Sequence, residues 1–84
     1  MSHIKTYVRN PIMIKAIQYT NASKDEILDI YNNHICIKNR NLYVISQSEG
    51  EVKLRIGDYL IDYNGEIFTC KKDLFPKLYS EIYW

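Results

Sequence analysis

The chain has 84 residues, 46% of them hydrophobic and 25% charged, with a formal net charge of +1. That leaves room for one domain with one core, and there is too much Ile and Tyr for a chain that stays disordered. The near-zero charge speaks against a general nucleic-acid binder, two cysteines are too few for a secreted disulfide framework, and nothing reads as an export signal or a membrane span. The expectation is a soluble protein of the cytoplasm with both thiols, Cys36 and Cys70, reduced and packed as small hydrophobes.

Met1, Ser2 and His3 are left outside the expected fold. Ile12 to Tyr19 is apolar and β-branched and reads as the first strand, with Pro11 at its start in an edge or first-residue position. Ser23 to Glu26 matches a capping box, Ser23 facing the free N–H groups and Glu26 reaching back to the cap. Ile27, Leu28, Ile30 and Tyr31 follow as one apolar stripe of a short helix, with Asp25 and Glu26 favourably placed against its dipole. Asn32-Asn33 ends it.

From His34 the apolar period becomes two. Ile35 and Ile37 point one way with Cys36 between them, Asn39 to Asn41 turn the chain, and Leu42 to Gln47 is the next strand. Ser48 to Gly50 turn it again. Val52, Leu54 and Ile56 alternate with Lys53 and Arg55 as a half-buried strand, and Gly57-Asp58 breaks it. Asn64-Gly65 between two β-rich runs predicts a two-residue type I′ hairpin over Tyr59 to Lys71. The register then places Tyr63 opposite Glu66, Ile61 opposite Phe68 and Tyr59 opposite Cys70, all on one largely aromatic face. Asp73 is expected to cap a final short helix through Tyr79, with Pro76 tolerated in the first turn, and Glu81 to Trp84 to dock or to add an edge strand. The fold class is α+β: an antiparallel sheet of four to six strands, one helix after the first strand, a short C-terminal helix, and the helices on one side or at one end of the sheet.

No constellation in this sequence carries chemistry. Zinc needs three or four ligands, and His34, Cys36 and Cys70 could supply a site only if the fold brought distant strands together. Ser46 and Ser48 lack a histidine partner, and the hairpin puts Asp62 and Glu66 on opposite faces. With three glycines there is no Gly-rich phosphate loop before a helix. The expectation is a protein without catalytic residues, cofactor or metal. Its unusual feature is eight tyrosines, which join an apolar body to a polar tip and suit both a core and a binding surface. The candidate binding residues are Tyr59, Tyr63, Tyr79, Lys71 and Lys72.

Two stretches carry a resemblance. One is Arg9-Asn10-Pro11 followed by Ala16-Ile17-Gln18-Tyr19. The other is Gly57-Asp58-Tyr59-Leu60-Ile61, then Asn64-Gly65-Glu66, Phe68, Cys70-Lys71, Asp73, Phe75 and Tyr79. In these the chain resembles a family of small, mostly uncharacterised proteins encoded by phages and prophages. It departs from the family pattern in a shorter hairpin loop and in Lys72, where proline is common, and the stretch from Ala22 to Glu51 matches poorly. The resemblance implies a phage origin, and its recurring residues look structural. The leading expectation is a phage-encoded accessory protein that binds a host protein stoichiometrically in the bacterial cytoplasm, in a host-takeover or anti-defence role. Two alternatives stand beside it: a homo-oligomeric sponge for a nucleotide-like small ligand, and a virion accessory protein. Nucleic acid ranks below these as a partner, and no membrane is expected.

Overall fold

A computed structural model describes residues 2–9 and 12–81. The elements in chain order are β1 (Lys5–Arg9), β2 (Ile12–Gln18), α1 (Lys24–Ile30), a single 3-10 turn (Asn32–His34), β3 (Ile35–Lys38), β4 (Asn41–Ser46), β5 (Gly50–Leu54), β6 (Tyr59–Tyr63), β7 (Glu66–Cys70), α2 (Phe75–Leu78) and the two-residue β8 (Ser80–Glu81). They form an α+β fold with two antiparallel sheets, a five-stranded one in the order β7-β6-β2-β1-β8 and a three-stranded one in the order β3-β4-β5.

Alternation along β2 and β6 explains the layering. Successive side chains of a strand point to opposite faces, and here both faces are apolar. Ile17 and Leu60 point to one side and join Tyr19, Ile27, Tyr31, Leu42, Val44, Leu54 and Ile67 in the larger core. Ile14, Ala16 and Ile61 point to the other and pack with Cys70, Phe75 and Tyr79. The three-stranded sheet and α1 therefore cover one face of the large sheet, and α2 covers the other. Leu60 has no exposed surface, and trimming such a side chain to alanine removes about 2–5 kcal/mol.

The hairpin is the element the sequence specifies best. Asn64 and Gly65 both have positive φ, 51° and 86°, as a type I′ turn requires. Tyr63 pairs with Glu66, Ile61 with Phe68 and Tyr59 with Cys70. Register then separates Asp62 from Glu66: the Asp62 carboxylate lies on the larger-core face, where it accepts a 3.2 Å hydrogen bond from the Tyr31 hydroxyl.

Several expectations are corrected. The helix follows the second strand, because Lys5–Arg9 is itself a strand paired antiparallel with β2 from Lys5↔Ala16 to Arg9↔Ile12. One sheet becomes two, because the large sheet is apolar on both faces and needs a second layer. The helices lie on opposite faces for the same reason. No capping box forms. The Ser23 hydroxyl donates to the Gln18 carbonyl at 2.6 Å, Thr20 Oγ1 accepts the Ser23 N–H at 3.1 Å, and the Ser23 side chain makes no cap bond to α1. Glu26 turns instead to the segment left outside the expected fold, accepting from the Ser2 hydroxyl at 2.5 Å and the His3 N–H at 2.7 Å. These two donors, with the His3 ring behind them, hold the Glu26 carboxyl down to about 2.

β5 stops at Leu54, which leaves Ile56 exposed beyond it. Asp73 does not cap α2, which has no side-chain cap. The turn that leads into α2 is held from a distance: Asp58 Oδ1 accepts the Lys72 N–H at 3.3 Å and Asp58 Oδ2 the Arg55 N–H at 3.2 Å. His34 lies in the 3-10 turn, not on a strand. An edge strand does form at the end of the described chain, at Ser80–Glu81 against β1, so it begins one residue before the expected segment. The expectations for Pro11 and for the tail beyond Glu81 fall outside the described residues.

Candidate functional site

The aromatic face of the hairpin meets α2, and two of the candidate binding residues, Tyr59 and Tyr79, meet there. Phe75 is buried at the centre of the contact. The Tyr59 ring stacks on it at 3.7 Å between centroids and 7° between planes, Tyr79 stacks at 4.9 Å, and Tyr7 meets it edge-on at 4.7 Å. Contacts of this kind add about 0.5–1.5 kcal/mol each beyond burial. Pro76 fixes the start of the four-residue helix that presents Phe75. Tyr59 and Tyr79 are thus packing residues in the first place, and Tyr79 is 8% exposed.

Beyond the aromatic stack the surface opens into a shallow groove of about 340 Å³ between β7, the first half of β5 and α2. Phe68, Leu74, Leu78 and Val52 give it an apolar floor, and Glu49 and Lys71 stand at its rim. Leu74 is 46% exposed, high for a leucine, and Phe68, Leu78 and Val52 are half-buried. Glu49 also ties the β4–β5 turn to β7, accepting the Thr69 N–H at 3.0 Å and its hydroxyl at 3.2 Å. The strand edge at this position is therefore covered by a side chain.

Of the five candidate residues, Lys71 and Tyr79 line this groove. Tyr63 does not line it; paired with Glu66 on the hairpin, it packs half-buried against the smaller core. Tyr59 stands behind it in the aromatic stack. Lys72 is drawn away: its stem lies over Gly57, where an added Cβ would come within 2.9 Å of Lys72 Cδ. Lys71 Nζ reaches Asp58 Oδ2 only at 3.9 Å and stays 65% exposed, so its charge remains available to a partner. The sequence reading missed Val52, Leu74 and Leu78. Their signal was faint, because each falls at an ordinary apolar position of a strand or helix, and only the tertiary fold leaves them at the surface.

The residues weighed for metal and nucleophile chemistry stand on separate elements. Among the described residues no three of His, Cys, Asp and Glu are grouped to hold a metal ion. Cys36 pairs with Tyr43 in the three-stranded sheet, while Cys70 packs under α2. Ser46 Oγ accepts the Glu49 N–H and so holds a turn. Among the described residues no helix is long and apolar enough to cross a membrane. The chain matches no protein-family model, no curated protein and no solved structure.

Proposed function

We propose that the protein is a phage-encoded accessory factor that acts by stoichiometric binding to a host protein in the bacterial cytoplasm, with the groove between β7 and α2 as its contact face. The observation that carries this reading is the apolar floor made by the exposed Leu74 and the half-buried Phe68, Leu78 and Val52, edged by Lys71 and Glu49. Apolar centres with charged rims are how protein interfaces are built, and aromatic anchors at such a centre carry most of the binding energy. The rigid Tyr59–Phe75–Tyr79 stack supports that floor, so little conformational freedom is lost on binding. The phage origin rests on the resemblance of the Gly57–Tyr79 stretch and of the shorter stretch from Arg9 to Tyr19.

The test uses Leu74→Asp. Leu74 is half exposed at the N-cap of α2, a position where aspartate is well tolerated, so the fold survives while the apolar floor gains a charge. Loss of a retained host protein, with an unchanged circular dichroism spectrum, supports the proposal. Equal retention by Leu74→Asp and the parent chain excludes this face.

A further inference from the structure

A second cleft, which shares no residue with the groove above, lies where the chain leaves β2, turns between β3 and β4, and ends β5. It measures about 340 Å³ and is lined by Arg40, Lys53, Arg55, Asn21, Asn41 and the exposed Ile56, over the buried Tyr19, Leu42 and Leu54. Three cations line it and no carboxylate does. Among the described residues, no hydrogen bond or ion pair engages the side chain of Arg40, Lys53 or Arg55. In a chain with a net charge of +1, three unneutralised cations around one cleft are an uneven use of charge.

The backbone adds a second observation. The β3–β4 and β6–β7 hairpins both turn through two residues with positive φ, Asn39-Arg40 at 50° and 66° and Asn64-Gly65 at 51° and 86°. Glycine takes the second position of such a turn without strain, whereas an L-residue there is strained. The same chain uses glycine at one turn and arginine at the other, and the strained arginine is the one that lines the cationic cleft. Strain of this kind gathers at sites of function.

We propose that this cleft binds a small phosphate-bearing ligand, with Arg40, Arg55 and Lys53 meeting the phosphate and Ile56 with the two asparagine amides meeting the rest. The chemistry selects phosphate over carboxylate. A phosphate monoester carries close to two negative charges and three acceptor oxygens, which matches two guanidinium forks and an ammonium. The size selects a small ligand, since about 340 Å³ is at the lower end of small-molecule sites. The charge pattern disfavours a nucleic-acid track: the next cation on the small sheet, Lys38, is already paired with Glu51 at 2.5 Å. No Gly-rich loop takes part, so recognition rests on side chains.

Isothermal titration calorimetry of the full chain with inorganic phosphate and with adenosine monophosphate tests this, alongside Arg40→Gly and Arg55→Gln. Arg40→Gly relieves the turn, so its melting temperature holds or rises while a ligand contact is lost. The proposal expects saturation at one ligand per chain by at least adenosine monophosphate, weakened about tenfold or more in either variant, the scale of one charge-assisted contact. It is overturned if neither probe saturates, or if Arg40→Gly binds as the parent chain does. A single-stranded oligonucleotide that binds more tightly than the monophosphate, with a steep salt dependence, also overturns it and assigns the cations to an extended surface.

Discussion

Asp58 is the residue whose loss should be felt most for its size. It is 6% exposed and joins two parts of the chain that the hairpin alone would leave independent. Its carboxylate accepts the Arg55 N–H at 3.2 Å, closing the turn after β5, and the Lys72 N–H at 3.3 Å, opening the turn into α2. Its own carbonyl accepts the Tyr19 N–H at 2.8 Å, a bond that substitution leaves in place. Hydrogen bonds to a charged acceptor contribute about 1.5–3 kcal/mol each, and the length of these two argues for the lower figure. Lys71 at 3.9 Å and largely exposed adds little. Asp58→Ala should therefore lose about 3 kcal/mol, and Asp58→Asn, which keeps one acceptor oxygen, about half that. A chain of this length has about 4–13 kcal/mol of stability in all, so the alanine variant should melt roughly 12–24 °C lower. Urea titration followed by far-ultraviolet circular dichroism measures the loss, with the slope unchanged if the unfolded state is unaffected. A loss under about 0.5 kcal/mol for Asp58→Ala, or equal losses for alanine and asparagine, refutes the assignment of Asp58 as a two-sided tie.

Three further outcomes follow from the same structure. Arg40→Gly should stabilise the chain by about 0.5–1 kcal/mol in urea titration, because glycine takes φ near +66° without the penalty that arginine bears; destabilisation would contradict the positive-φ turn. Glu26, held down to about 2 by the Ser2 hydroxyl and the His3 N–H, contributes stability that is complete above the ordinary carboxylate range and is lost as pH falls toward 2. Glu26→Gln should lack that acid-side loss and speed hydrogen exchange at the His3 amide, and an unchanged exchange rate would show the tether to be absent in solution. Tyr31, pushed up to about 12 by burial and then by the neighbouring Asp62 carboxylate, contributes stability that is present below pH 10 and lost as pH rises through 12. Spectrophotometric titration should show one phenol ionising late, and the late phase should vanish in Tyr31→Phe.

The parts of the fold that were legible in the sequence are those fixed by local chemistry. Asn64-Gly65 sets a turn, and the turn sets every pair from Tyr63–Glu66 to Tyr59–Cys70. The helix over Lys24–Ile30 and the strands around Leu42 and Val52 follow from apolar period. What misled were local signals with a distant competitor. Ser23 and Asp73 both stand in cap positions by pattern. The Ser23 hydroxyl is instead taken up by Gln18 and Thr20, and the turn before α2 is held by Asp58, 14 residues away from Lys72. The first strand is not legible because Lys5–Arg9 is short and its two apolar residues, Tyr7 and Val8, are adjacent where a half-buried strand would alternate; it becomes a strand by pairing with β2. The candidate sites were only partly legible. Tyr79 and Lys71 led to the groove, but Val52 and Leu74 come to it from separate segments. The cationic cleft draws Asn21, Arg40 and Arg55 from three places that no spacing rule connects.

The most direct test of the binding reading is affinity capture from bacterial host lysate with the parent chain and Leu74→Asp side by side, each retained protein quantified against the bait. The proposed interface predicts one host protein held near one-to-one by the parent chain and absent from the variant. No protein retained near stoichiometry, or one retained equally by both, would contradict it.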